Sequence, residues 1–162
     1  AMNFKVGDKS VHPHHGVGEV TAIEAKEIAG HRKTFYILKI VDRGERVMVP
    51  TDAAERLGLR RVVSRKEAKR VLEVLREPEV AVTAQPWNRR YRVYTEMLNS
   101  GSLYEVAKVL RDLSRLEAAK ELSFGERSLR DKARGLLVTE LAIARRCKEQ
   151  RVEKDIAALL DG

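Results

Sequence analysis

The sequence predicts an α+β chain in two domains: a small antiparallel β-barrel over residues 2–60, then an all-helical bundle of about five helices over residues 61–162. Two observations carry this. Up to Pro50 the apolar residues gather in short β-branched and aromatic runs separated by glycine-containing turns. After Leu57-Gly58-Leu59 they recur every three or four residues, and one helix-start device appears three times. The boundary between the two patterns falls near residues 58–63.

In the first part, Val17, Val20 and Ile23 lie beside Gly16 and Gly18, and Phe35-Tyr36-Ile37-Leu38-Lys39-Ile40-Val41 forms a β-rich run. Arg46-Val47-Met48-Val49-Pro50 follows closely. Gly7-Asp8, Gly30-His31 and Arg43-Gly44 supply turns between them, giving about five short strands. Pro50 has no N–H to donate to a ladder, so it ends the last strand or marks a sheet edge.

In the second part, Ser64…Glu67, Ser102…Glu105 and Ser123…Glu126 each place a capping serine three residues before a glutamate that can return the hydrogen bond. The stripes that follow are Ala68, Val71, Leu72 and Leu75, then Leu103, Val106, Ala107, Leu110 and Leu113, then Leu129, Ala133, Leu136, Leu137, Leu141 and Ala144. Pro86 suits the opening of a further helix through about Asn99, and Val152 to Leu160 suggests a short last one. Residues 77–85 lack a helical stripe and read as an extended connector.

The chain carries a formal charge of +8, and the excess is uneven. Residues 1–60 hold 10 basic and 8 acidic side chains, whereas residues 61–162 hold 22 and 16. A polyanionic partner follows for the helical part, with nucleic acid ahead of an acidic membrane surface. A single cysteine, Cys147, permits no internal disulfide and no structural zinc set, which fits a reducing cytoplasm. No apolar run approaches a membrane span, and no signal-peptide core opens the chain. A membrane partner is therefore not expected. Neither a nucleophile elbow nor a phosphate loop is present, and Gly16-Val17-Gly18 lacks the rest of a dinucleotide fingerprint. Carboxylates read as ion-pair partners along helix surfaces. His12-Pro13-His14-His15 lacks a further ligand at metal-binding spacing. An enzyme, a cofactor and a metal are all not expected.

Pro86-Trp87-Asn88-Arg89-Arg90-Tyr91-Arg92 places the only tryptophan in a first helical turn, with Arg89, Arg90 and Arg92 in the next five positions. Guanidinium groups pair with phosphates, and an indole can stack on a base or wedge into a groove. Against this, Trp87, Tyr91, Tyr94 and Leu98 share one helical face, so spacing equally describes a core anchor. Arg127, Arg130 and Arg134, with Lys132 nearby, lie at i, i+3 and i+7 of the long helix and either track phosphates or form a solvated face. Arg145, Arg146 and Lys148 fit the negative end of a helix macrodipole.

Three segments taken together resemble one family: Phe4-Lys5-Val6-Gly7-Asp8 with His12-Pro13-His14-His15-Gly16-Val17-Gly18, Pro86-Trp87-Asn88-Arg89-Arg90-Tyr91, and Leu122-Ser123-Phe124-Gly125-Glu126-Arg127. They resemble the CarD family of bacterial RNA-polymerase-binding transcription regulators, close to its CdnL-type members, from about residue 3 to about residue 160. The resemblance implies a Tudor-like N-terminal module that docks on the polymerase β subunit by backbone pairing between strand edges. Its docking edge maps to Lys26, Ile28, Met48, Val49 and Pro50. Met48 stands where some relatives carry a basic residue, which leaves open whether an apolar contact takes the place of the electrostatic one here.

The same resemblance implies that the helical domain meets promoter DNA. Trp87 would enter the minor groove at the upstream edge of the melted region, and Arg89, Arg90, Arg92 and Arg127 would hold neighbouring phosphates, with Arg130 and Arg134 extending the track. The chain is expected to act as a monomer. Two other readings stand beside this one: a free-standing non-specific DNA-binding protein, and a protein-interaction adaptor with Trp87 in its core. An excess of six charges on the helical part is modest for tight duplex binding, so weak, salt-sensitive affinity for DNA alone is expected.

Overall fold

The β-rich run centred on Ile37 and Leu38 is the heart of an antiparallel sheet in the computed structural model, which describes residues 3–78 and 85–161. Strand β3 (His31–Ile40) pairs with β2 (Gly16–Ile28) on one side and β4 (Arg46–Pro50) on the other. β1 (Lys9–His12) pairs with β2, and the two-residue β5 (Arg60–Arg61) pairs with β1. The order is therefore β4-β3-β2-β1-β5, and no ladder joins β4 to β5 among the described residues. The module is a five-stranded antiparallel sheet. Pro50 both ends its strand and lies at the sheet edge.

Val20, Tyr36, Leu38 and Val49 turn inward and bury a small core with Phe4, Ala54 and Leu59. Each large apolar side chain so buried contributes roughly 1.5–3 kcal/mol. The Tyr36 hydroxyl accepts the Phe4 N–H at 3.2 Å, which gives a buried polar atom a partner inside that cluster.

Two strands are longer than expected, with 13 residues in β2 and 10 in β3. From Ile23 onward β2 is exposed on both faces, so no apolar alternation marks its outer half in the sequence. Ala29 and Gly30 close this hairpin with φ of 52° and 80°, the paired left-handed conformations that match the twist of the flanking strands.

The helical unit begins at Val63 and contains α1 (Arg65–Val74), α2 (Trp87–Leu98), α3 (Leu103–Ala119), α4 (Phe124–Arg145) and α5 (Glu149–Asp161). Helix α3 packs against each of the other four and is buried without a break from Val109 to Leu113, as a central helix must be. All three serine caps form. Ser64 and Ser123 complete capping boxes, whereas Ser102 accepts the Glu105 N–H and the Glu105 carboxylate turns to Lys108 at 2.9 Å. Of the connector read over residues 77–85, residues 79–84 lie outside the described residues.

Two expectations are corrected. Carboxylates are not confined to helix surfaces: Asp112, Glu126 and Glu140 are buried. Each has a donor that makes burial tolerable, the Arg111 Nε at 2.9 Å for Asp112, the Arg90 Nη1 at 3.1 Å for Glu126 and the Val63 N–H at 2.9 Å for Glu140. Nor is the basic end of α4 explained by the macrodipole alone. Arg145 donates to Asp155 of α5 at 2.7 Å, and Arg146 adopts the left-handed cap (φ 54°) that glycine usually fills. Among the described residues no helix is long and apolar enough to cross a membrane.

Candidate nucleic-acid interface

The first turns of α2 and α4 meet around Trp87. Helix α4 is capped from both sides: the Ser123 Oγ accepts the Glu126 N–H at 3.2 Å, and the Glu126 Oε1 accepts the Ser123 N–H at 2.8 Å. The second carboxylate oxygen, Oε2, accepts from Nη1 of Arg90 at 3.1 Å. Arg90 is 11% exposed and Glu126 2%, so the pair is withdrawn from water. The Arg90 Nε donates to the Gln85 carbonyl at 3.0 Å, and its guanidinium carbon lies 5.1 Å from the centre of the Trp87 ring system, within cation–π range.

Burial alone would raise the Glu126 carboxyl. The bonds from Ser123 and Arg90, with the charge of Lys120, outweigh it and hold the group below the usual carboxylate range.

Trp87 is half-buried, packed against the helical core but not enclosed by it. A Cβ at Gly125 would sit 2.8 Å from Trp87 Cζ2, so the indole lies directly over the glycine of the α4 first turn. Of the other residues on its spacing, Tyr94 and Leu98 are buried while Tyr91 is exposed, its ring centre 5.7 Å from that of Trp87. The Tyr94 phenol is pushed up to about 12 by burial first and then by the charge of Asp112. The helical face is thus split, with a core half and an outer rim. Phe124, the first residue of α4, is 81% exposed beside Gly125.

The six sequence-predicted arginines separate into two sets. Arg89, Arg92, Arg127 and Arg134 are exposed and make no ion pair among the described residues. Arg90 is engaged by Glu126, and Arg130 is largely covered and paired with Glu117 and Asp131. Sequence reasoning missed Gly125 beneath Trp87, Glu126 as the partner of Arg90, and the exposure of Phe124. A signal for Phe124 existed: it precedes the α4 stripe and falls outside its spacing.

On the sheet module, Lys26 and Ile28 lie near the tip of the β2–β3 hairpin, opposite Lys33 and His31. Lys26, Ile28 and Met48 are exposed, and Pro50 is half-buried. Val49 is 1% exposed, so only its backbone can face a partner at the β4 edge. In the histidine turn, the His14 N–H donates to His12 Nδ1 at 3.1 Å. Burial first, and then the neighbouring His15 and His14, lower the His12 pKa. Among the described residues no group of three or more His, Cys, Asp and Glu is arranged to hold a metal.

The chain thus joins a sheet module with β4 at its edge to a helical unit with exposed arginines around a half-buried indole. Residues 70–157 match the family model for the CarD C-terminal domain, and residues 4–63 match the CarD-like/TRCF RID domain. The chain belongs to the CarD family, a family of transcription regulators in which the RID domain relates to RNA polymerase interaction.

Among its relatives is "Putative transcription factor YdeB" of Bacillus subtilis (strain 168), 29% identical over 150 residues, which span 93% of this chain and 97% of the relative. Two solved structures are similar over the N-terminal part. CdnLNt from Myxococcus xanthus is 47% identical, with 40% of this chain and 90% of that one covered and a TM-score of 0.34. The 72-residue N-terminal domain of Myxococcus xanthus CarD is 38% identical, with 38% and 81% covered and a TM-score of 0.33.

Proposed function

We propose that this transcription regulator binds the RNA polymerase β subunit through its sheet module and stabilises the open promoter complex through its helical unit, with Trp87 entering the minor groove at the upstream edge of the melted DNA. The observation that carries this reading is the rim: an indole held half-buried beside the exposed Tyr91 ring, with four exposed arginines on the same two helices that make no ion pair among the described residues. A core anchor would be enclosed, and a merely solvated face would not hold an indole against a second aromatic ring.

Only a ligand with different affinities for two states shifts their equilibrium, so the contact has to favour melted over closed DNA. An unstacked base or widened groove at the junction supplies that difference. One aromatic contact is worth roughly 1–3 kcal/mol, and each 1.4 kcal/mol is about tenfold in the open-to-closed ratio. Arg89, Arg92, Arg127 and Arg134 supply phosphate contacts that add affinity without sequence preference. Because the charge excess is modest, tethering to polymerase provides the local concentration that the helical unit lacks alone. In the sheet module the β4 edge offers backbone groups, with Met48 and Ile28 as apolar contacts and Lys26 as the charged one.

Photo-crosslinkers at Met48 and Tyr91 test the arrangement on a promoter fork. Crosslinks from position 48 to the β subunit and from position 91 to DNA, the latter dependent on polymerase, are expected. Equal DNA crosslinking without polymerase points instead to a free-standing DNA-binding protein.

A further inference from the structure

We infer that Arg90 is a positioning residue and not a phosphate ligand: together with Glu126 and Gly125 it seats Trp87 on the first turn of α4. The inference rests on the reading above in that it takes Trp87 as the DNA-contacting group.

Helix α2 starts without a side-chain cap, since Pro86 occupies the cap position and offers no acceptor. An uncapped first turn leaves backbone donors without intrahelical partners and is where a helix frays. Trp87 is the first residue of that turn. Its orientation therefore depends on something outside α2, and the first turn of α4 provides it. Glu126 fixes its own helix with one oxygen and reaches across to Arg90 with the other. Arg90 in turn holds the chain before α2 through the Gln85 carbonyl and stacks on the indole. Gly125 leaves the space that the benzo ring fills, where any Cβ would meet it at 2.8 Å.

With Nη1 on Glu126, Nε on the Gln85 carbonyl and the side chain 11% exposed, little of Arg90 is open to a phosphate, and a phosphate that took Nη1 would leave a buried carboxylate without its cation. Among the described residues, the exposed arginines of the same helices make no such ion pair. Arg90 thus acts on DNA through Trp87.

The sole tryptophan makes the seat directly measurable in the full-length protein. Arg90→Ala, Glu126→Gln and Gly125→Ala are each expected to increase acrylamide quenching of the indole. On polymerase–promoter complexes, Arg90→Ala and Glu126→Gln should each shorten the open-complex lifetime about tenfold, which is about 1.4 kcal/mol, and the double variant should be no worse than either single one. Arg90→Lys keeps the charge but loses the forked geometry, so it should not rescue.

The dependence of fork-DNA affinity on salt should be unchanged in Arg90→Ala, whereas Arg127→Ala should lower the slope by about 0.9. A reduced slope in Arg90→Ala, rescue by lysine, or wild-type quenching in Glu126→Gln would each overturn the inference. If Trp87→Ala itself leaves the lifetime unchanged, the proposed function fails, and quenching in the free protein still decides whether the seat exists.

Discussion

Helices α2 and α4 meet at Trp87 and begin in opposite ways. Helix α4 carries a complete capping box of its own, whereas α2 follows Pro86 with no side-chain cap. The residue proposed to touch DNA sits on the dependent helix, and the self-sufficient helix supplies the support. This separates two properties that one helix would otherwise have to combine: a rigid base and an aromatic group at an exposed rim.

The largest effect should come from Glu126→Ala, which removes the cap of α4 and the partner of Arg90 together. Leaving one member of a buried ion pair uncompensated costs about 3–5 kcal/mol, read by denaturant unfolding. Ser123→Ala breaks one capping bond and spares the Arg90 pair, so about 1 kcal/mol is expected with indole quenching nearly unchanged. Ser64→Ala removes the equivalent cap from α1 and should give the same loss without any effect at the rim.

Acid should weaken the seat in a defined direction. The Glu126 carboxyl is held below its ordinary value of about 4.5. Its contribution is present above that value and is lost as pH falls through the lower folded pKa, when proton uptake releases Arg90 and the Ser123 N–H. The stability gap between wild type and Glu126→Gln should therefore narrow as pH is lowered through this range. Ala29→Asn should have the smallest effect. It suits the left-handed turn better than alanine and should stabilise the sheet module by about 0.5 kcal/mol without altering Trp87.

What the sequence revealed follows from how local each feature is. The serine caps are encoded within four residues, and all three form. The core half of α2 was visible as Tyr94 and Leu98, but spacing could not tell them from Tyr91, because burial depends on what α3 and α4 place opposite. The Arg90–Glu126 pair joins residues 36 apart, and nothing local announces it. Leu122-Ser123-Phe124-Gly125-Glu126 was legible as a helix start, while its second task, seating an indole, appears only once α2 is placed against it. The outer half of β2 was obscured for a different reason: a strand exposed on both faces has no apolar alternation to display. Arg111 and Asp112, adjacent and buried in α3, break the rule that charged neighbours lie outside, since they partly satisfy each other.

The central claim is that Trp87, seated by α4, prolongs the open promoter complex. Its most direct test is the lifetime of that complex with Trp87→Ala in the full-length protein. The account predicts a lifetime shortened about tenfold or more, with polymerase binding and thermal unfolding close to wild type. An unchanged lifetime with the variant folded and bound to polymerase would contradict it.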